Sequence, residues 1–173
     1  MNAKEVHATL RPILGSWFKS NGFSALPRTP SAWYEEFDCG YRVVRVYLDT
    51  HFGYLPYFGG RLFLRAWCST SVAGSPDASD RVLSLLETLS MESKRRLRDV
   101  NDGVVQRILS GLRSASLEAP ILESMRASLQ SELDAPFDGY IDGLFYLDPN
   151  DVRRWTLVIT DILPEIVKSI PDF

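Results

Sequence analysis

Two runs of ten residues, YRVVRVYLDT at 41–50 and RLFLRAWCST at 61–70, flank the aromatic-rich loop HFGYLPYFGG. Successive side chains of a strand point to opposite faces, so each run divides into an even and an odd set. The even sets, Val44, Val46 and Leu48 with Leu62, Leu64, Ala66 and Cys68, are apolar and read as one core-facing side of an antiparallel hairpin. The odd sets mix rings with charge: Tyr41, Val43, Arg45, Tyr47 and Asp49 against Arg61, Phe63, Arg65, Trp67 and Ser69. A slip of one residue would turn a whole strand over, which leaves two registers that keep both apolar sets together. One opposes Arg45 to Arg65. The other opposes Arg45 to Trp67 and Tyr47 to Arg65, replacing like-charge repulsion with cation–ring contacts, and is the register expected.

The rest of the chain supplies what this hairpin packs against. Val6, Leu10, Ile13, Leu14, Trp17 and Phe18 recur at helical spacing over 3–21, with Pro12 inside the pattern and Gly22 as the stop. Residues 24–30 carry two prolines and read as a connection into a strand over 32–37, closed by a tight turn at Asp38, Cys39 and Gly40. Asp77 is placed to cap a helix carrying Val82, Leu83, Leu86 and Leu89. A second helical stripe, Leu97, Val100, Val104, Ile108 and Leu112, keeps its phase across Asn101, Asp102 and Gly103, where weakness is expected. Pro120 opens a further short helix, and 140–147 alternates as a fourth strand with Ile141, Phe145 and Leu147 on one face. Asp148 and Pro149 then start a final helix with the stripe Val152, Trp155, Ile159, Ile162, Leu163 and Ile166.

A length of 173 residues and 45% hydrophobic content suffice for one core. No repeat or linker divides the chain, so residues 1–173 are expected to form a single globular domain. The fold class is α+β: an antiparallel sheet of about four strands, with helices packed mainly on one face and the terminal helices close together.

Three stretches together resemble a bacterial family of small domains of unknown function. They are the opening helix with its Gly22-Phe23 exit, the paired strands that follow, and the closing run Leu147-Asp148-Pro149-Asn150-Asp151-Val152-Arg153-Arg154-Trp155. The likeness touches the first third and the last sixth of the chain. The resemblance implies a partner-binding or toxin-neutralising immunity protein with no assigned catalytic residues.

Composition narrows the classes of function. A net charge of −3 provides no global field for nucleic acid or anionic lipid, so nucleic acid is an unfavoured partner. No apolar run approaches the roughly 20 residues that span a bilayer, and the opening residues lack an apolar leader. No membrane partner and a cytoplasmic location are therefore expected. Two cysteines, Cys39 and Cys68, read as reduced thiols.

Candidate chemistry is sparse. His51 with Asp49 forms an acid–base pair on paper, but the partner strand's hydroxyl, Ser69, lies at the far end of the hairpin, so no triad forms there. Two histidines and two separated cysteines have no metal-ligand spacing. No catalytic residue, metal or cofactor is expected. The basic run Lys94, Arg95, Arg96 and Arg98, with Arg107 and Arg113, reads as a solvated helix face paired to Glu92, Asp99 and Asp102. What stands out is the odd face of the hairpin. Arg45, Tyr47, Phe63, Arg65 and Trp67 are of the residue types that dominate protein interfaces, and the loop adds Phe52, Tyr54 and Tyr57. A non-catalytic protein-binding domain is the first expectation. An enzyme or small-ligand binder with a pocket under the 50–60 loop, or a single-stranded nucleic-acid binder stacking bases on Tyr47, Phe63 and Trp67, are the alternatives.

Overall fold

A computed structural model describes residues 1–49, 59–83, 88–112, 118–134 and 143–170. Among them are four helices and a six-stranded antiparallel sheet. The elements run α1 (Ala3–Ser20), β1 (Ser24–Ala25), β2 (Ala32–Phe37), β3 (Gly40–Asp49), β4 (Gly60–Ser69), β5 (Arg81–Val82), α2 (Met91–Leu112), α3 (Ala119–Asp134), β6 (Leu144–Tyr146) and α4 (Pro149–Ser169). The α+β class is as the hydrophobic periods require.

β4 is the middle of the sheet. One edge pairs with β3 along its length, while the other is shared between β5 near Trp67 and Cys68 and β6 at Gly60, Arg61 and Leu62. The even face of the hairpin is core: Val44, Val46, Leu62, Ala66 and Cys68 are buried in one cluster with Val6, Leu10, Leu14 and Phe18 of α1. Val152, Trp155, Ile159, Leu163 and Ile166 of α4 join it, and the two terminal helices pack side by side. Each large side chain withdrawn in this way contributes about 1.5–3 kcal/mol. A second cluster, of Val104, Val105, Ile108 and Leu112 from α2 with Leu129 of α3, closes on Phe145.

Both terminal helices begin with a cap, and the one at Asp148 is as the sequence suggests. Asn2 and Glu5 form a capping box on α1. Asp148 accepts from the amides of Asn150 and Asp151, and the Asp151 carboxylate accepts from Leu147 N at 2.8 Å. Arg107 of α2 bonds both carboxylates. The run at 147–155 is thus a helix start pinned to a neighbouring helix. Glu165 likewise accepts from the amide of Ser90 and from Ser93 Oγ, joining α4 to the head of α2.

Several expectations are corrected. The register of β3 and β4 is the other one: Arg45 lies directly across from Arg65, and Tyr47 from Phe63. The same register opposes Asp49 to Arg61 at the loop end, an opposite-charge pairing that the expected register would have lost. The stretch 24–30 contains a two-residue strand, β1, and the helix expected from Asp77 is absent at Arg81–Val82, which forms β5. Asp77 instead closes a turn, accepting from Ser79 N at 2.8 Å and Ser79 Oγ at 2.6 Å. The open edge of β4 outweighs local helical spacing here, because its backbone groups need partners, and Leu83 N reaches Ala66 O at 2.8 Å. Leu86 and Ile141 lie outside the described residues. The sheet therefore has two more strands than expected, both of them two residues long.

α2 runs unbroken through Asn101, Asp102 and Gly103. Asn101 is buried, and its side chain bonds the β6 backbone, so the apparent turn signal is a tertiary contact.

Candidate functional site

The odd face of β3 and β4 is not one surface but three zones. At the end near Tyr41 and Ser69, Val43 and Trp67 are opposed and fully buried. The chain leaves β4 at Ser69 and turns back over this face as far as Arg45 and Tyr47, where Gly74 O accepts from both Arg45 and the Tyr47 hydroxyl, the latter at 3.2 Å. Trp67 was expected on the binding face. It lies instead under this crossing segment and is closed to a partner or a base.

At the other end, the backbone before β6 lies against the rings. A Cβ on Gly143 would come within 3.0 Å of the Phe63 ring and 3.1 Å of Arg61 Cδ, so a larger residue there would have to push these side chains aside. Arg61 stacks on the Phe145 ring at 4.1 Å. Gly59 and Gly60 lie against Tyr146: a Cβ on either would collide with it. Burial and the nearby Asp49 carboxylate push the Tyr146 phenol up.

Between these zones Arg45, Tyr47 and Arg65 form a compact group. The Arg45 guanidinium lies 4.1 Å and that of Arg65 5.6 Å from the centre of the Tyr47 ring. Arg45 is turned toward Gly74 and Ser75, whereas Arg65 is exposed and Tyr47 and Phe63 are half-buried. The opposed arginines are tolerable because the ring lies against both charges and Arg45 has a carbonyl to bond. Chemically the group offers a cationic, flat patch that suits a carboxylate or a ring edge. Phe52, Tyr54, Tyr57 and His51 lie outside the described residues. Ser69 stands across from Tyr41, at the far end of the strand pair from Asp49, with its Oγ accepting from Ser71 N.

Comparison with known proteins finds no matching family model, no similar curated protein and no similar solved structure. The local arrangement of side chains therefore carries the functional reading.

Other candidates resolve into structure. Arg95 pairs with Glu92 at 2.8 Å and Arg98 with Asp102 at 2.8 Å, as the helix spacing suggested, while Arg96 reaches Asp161. Arg113 lies outside the described residues. Glu35 of β2 holds Arg42 of β3 at 3.3 Å. No helix among the described residues is long and apolar enough to cross a membrane. Among the same residues no three His, Cys, Asp or Glu side chains group as metal ligands.

Two features were missed in the sequence. His7 Nδ1 lies 2.8 Å from Ser31 Oγ, and burial together with the charges of Arg11 and Arg45 lowers its pKa. Beside it, α1 and the corner before β2 enclose a cleft lined in part by Arg11, Gly15 and Lys19. These three recur every four residues, which was the available signal.

Proposed function

We propose that this chain is a non-catalytic protein-binding domain, and that it serves as an immunity protein neutralising a cognate bacterial toxin. The observation that carries the binding reading is the direct opposition of Arg45 and Arg65 against one Tyr47 ring on an open part of the sheet. Like charges in register cost about 0.2–1 kcal/mol, and an acidic residue at 65 would turn that cost into a gain. A chain that keeps the arrangement has a use for the exposed guanidinium. Tyr and Arg at the centre of a patch, with half-buried Phe63 beside them, match the make-up of interface hot spots, and the charge selects a partner presenting carboxylates. The immunity reading rests on the likeness of the chain's two ends to the bacterial family.

The test is capture from the native cell with the wild-type chain, Arg65→Glu, and Arg95→Glu as a distant control. One stoichiometric protein should be retained by wild type and control and lost by Arg65→Glu. Equal capture by all three would place the interface elsewhere. For the immunity role, the captured protein should arrest growth when expressed alone and be harmless with wild type, but not with Arg65→Glu.

A further inference from the structure

The cleft beside α1 has the features of a second, separate site. It has a volume of about 360 Å³, at the small end of ligand pockets. Arg11 and Lys19 project from one side of α1, Thr29 and Ser24 face them from the β1 corner, and the described lining holds no carboxylate. Neither cation has an ion-pair partner among the described residues. Phe23 and Trp33 supply the apolar wall.

Trp33 points to a ligand. The residue is only 4% exposed, and its ring is fixed by stacking on Phe18 at 4.5 Å with 16° between planes. Its indole N–H nonetheless has no hydrogen-bond partner among the described residues and faces the cleft by Gly15. The nitrogen opens on the cleft rather than into packed protein, so its donor is available to an acceptor bound there. Gly15 is the second sign. Glycine in a helix interior is unfavourable relative to alanine, yet a Cβ there would meet nothing closer than Trp33 Nε1 at 3.8 Å. Packing does not demand glycine at 15, whereas an open cleft does. The wall is also preset: Arg28 and Ser31 hold left-handed backbone, with φ of 59° and 50°, and Ser31 is fastened to His7.

We infer that this cleft binds a small organic oxyanion, its charged head between Arg11 and Lys19 and accepting from Trp33 Nε1, its apolar body against Phe23 and the indole. The site lies between α1 and the β1 corner, apart from the Arg65 patch, and is independent of the partner reading.

The test is titration of the full chain with benzoate, followed through the Trp33 indole N–H resonance, with benzylamine as a cation of like size and inorganic phosphate as a head without a body. Benzoate should shift the resonance saturably, phosphate should bind more weakly and benzylamine should leave it in place. Arg11→Glu and Lys19→Glu, both at exposed positions, should each weaken benzoate about tenfold or more. Gly15→Leu should fill the cleft and abolish the shift without lowering the melting temperature. An unmoved resonance, an equal response to benzylamine, phosphate binding as tight as benzoate, or unchanged binding by folded Gly15→Leu would each overturn the assignment.

Discussion

Asn101 Oδ1, in the interior of α2, accepts the backbone N–H of Phe145 at 3.1 Å. A helix thereby satisfies the outer edge of the three-residue strand β6, and Trp155 Nε1 does the same for the Phe145 carbonyl at 2.7 Å. Asn101→Ala would leave the Phe145 amide buried without an acceptor, which costs about 1–3 kcal/mol, reduced by the better helix propensity of alanine. Thermal unfolding should drop by roughly 2–4 °C per kcal/mol lost. An unchanged melting temperature would mean that water or another acceptor already serves this amide.

Arg65→Glu separates stability from binding. Placed across from Arg45, the new carboxylate should stabilise the fold by about 0.2–1 kcal/mol while abolishing partner capture. Chemical denaturation midpoints measure the first effect. A variant less stable than wild type would show that the Tyr47 ring shields the two charges more fully than their opposition suggests.

Asp148→Ala should cost about 1 kcal/mol at neutral pH through loss of the α4 cap. Burial pushes the Asp148 carboxyl up, but the Asp151 and Asn150 amides and Arg107 outweigh it and hold it below the usual range. Its contribution is therefore complete above about pH 4 and is lost as pH falls through the folded-state value. Denaturation curves of wild type and variant should converge in acid. If their gap stayed constant down to strong acid, the carboxylate would not be the source of the cap.

His7 acts in the same direction but nearer neutral pH. Burial, Arg11 and Arg45 lower its pKa, so the unfolded chain takes up the proton first and stability falls as pH drops below about 6.5. His7→Gln should lose less stability than wild type between neutral and mildly acid pH. Parallel melting curves across that range would remove His7 from the account.

Much of the fold was legible in residue spacing. The even face of the hairpin, the stripes of α1, α2 and α4 and the Asp148 cap all follow from local periods and capping chemistry, which need no knowledge of the partner. The register was not, because Arg45 against Arg65 looks repulsive until Gly74 and the Tyr47 ring are in place. β5 escaped for a like reason: 77–89 has helical spacing, and only the unpaired edge of β4 draws Arg81 and Val82 into the sheet. Trp67 reads as an exposed hot spot by residue type, yet the segment after β4 folds over it. The cleft at Arg11 and Lys19 needs Trp33 from another element before its chemistry appears.

The position of β4 bears on how this chain is made. Its second edge at Gly60, Arg61 and Leu62 is completed only by Leu144, Phe145 and Tyr146, and α1 finds its main companion only in α4. A polypeptide emerging from the ribosome would carry the β3–β4 hairpin with this part of its edge open, and its apolar side covered only by α1, until β6 and α4 had followed. Addition of β6 and α4 is therefore the event that lets this sheet and its helical layer close, and chains cut before residue 144 should aggregate rather than fold in part.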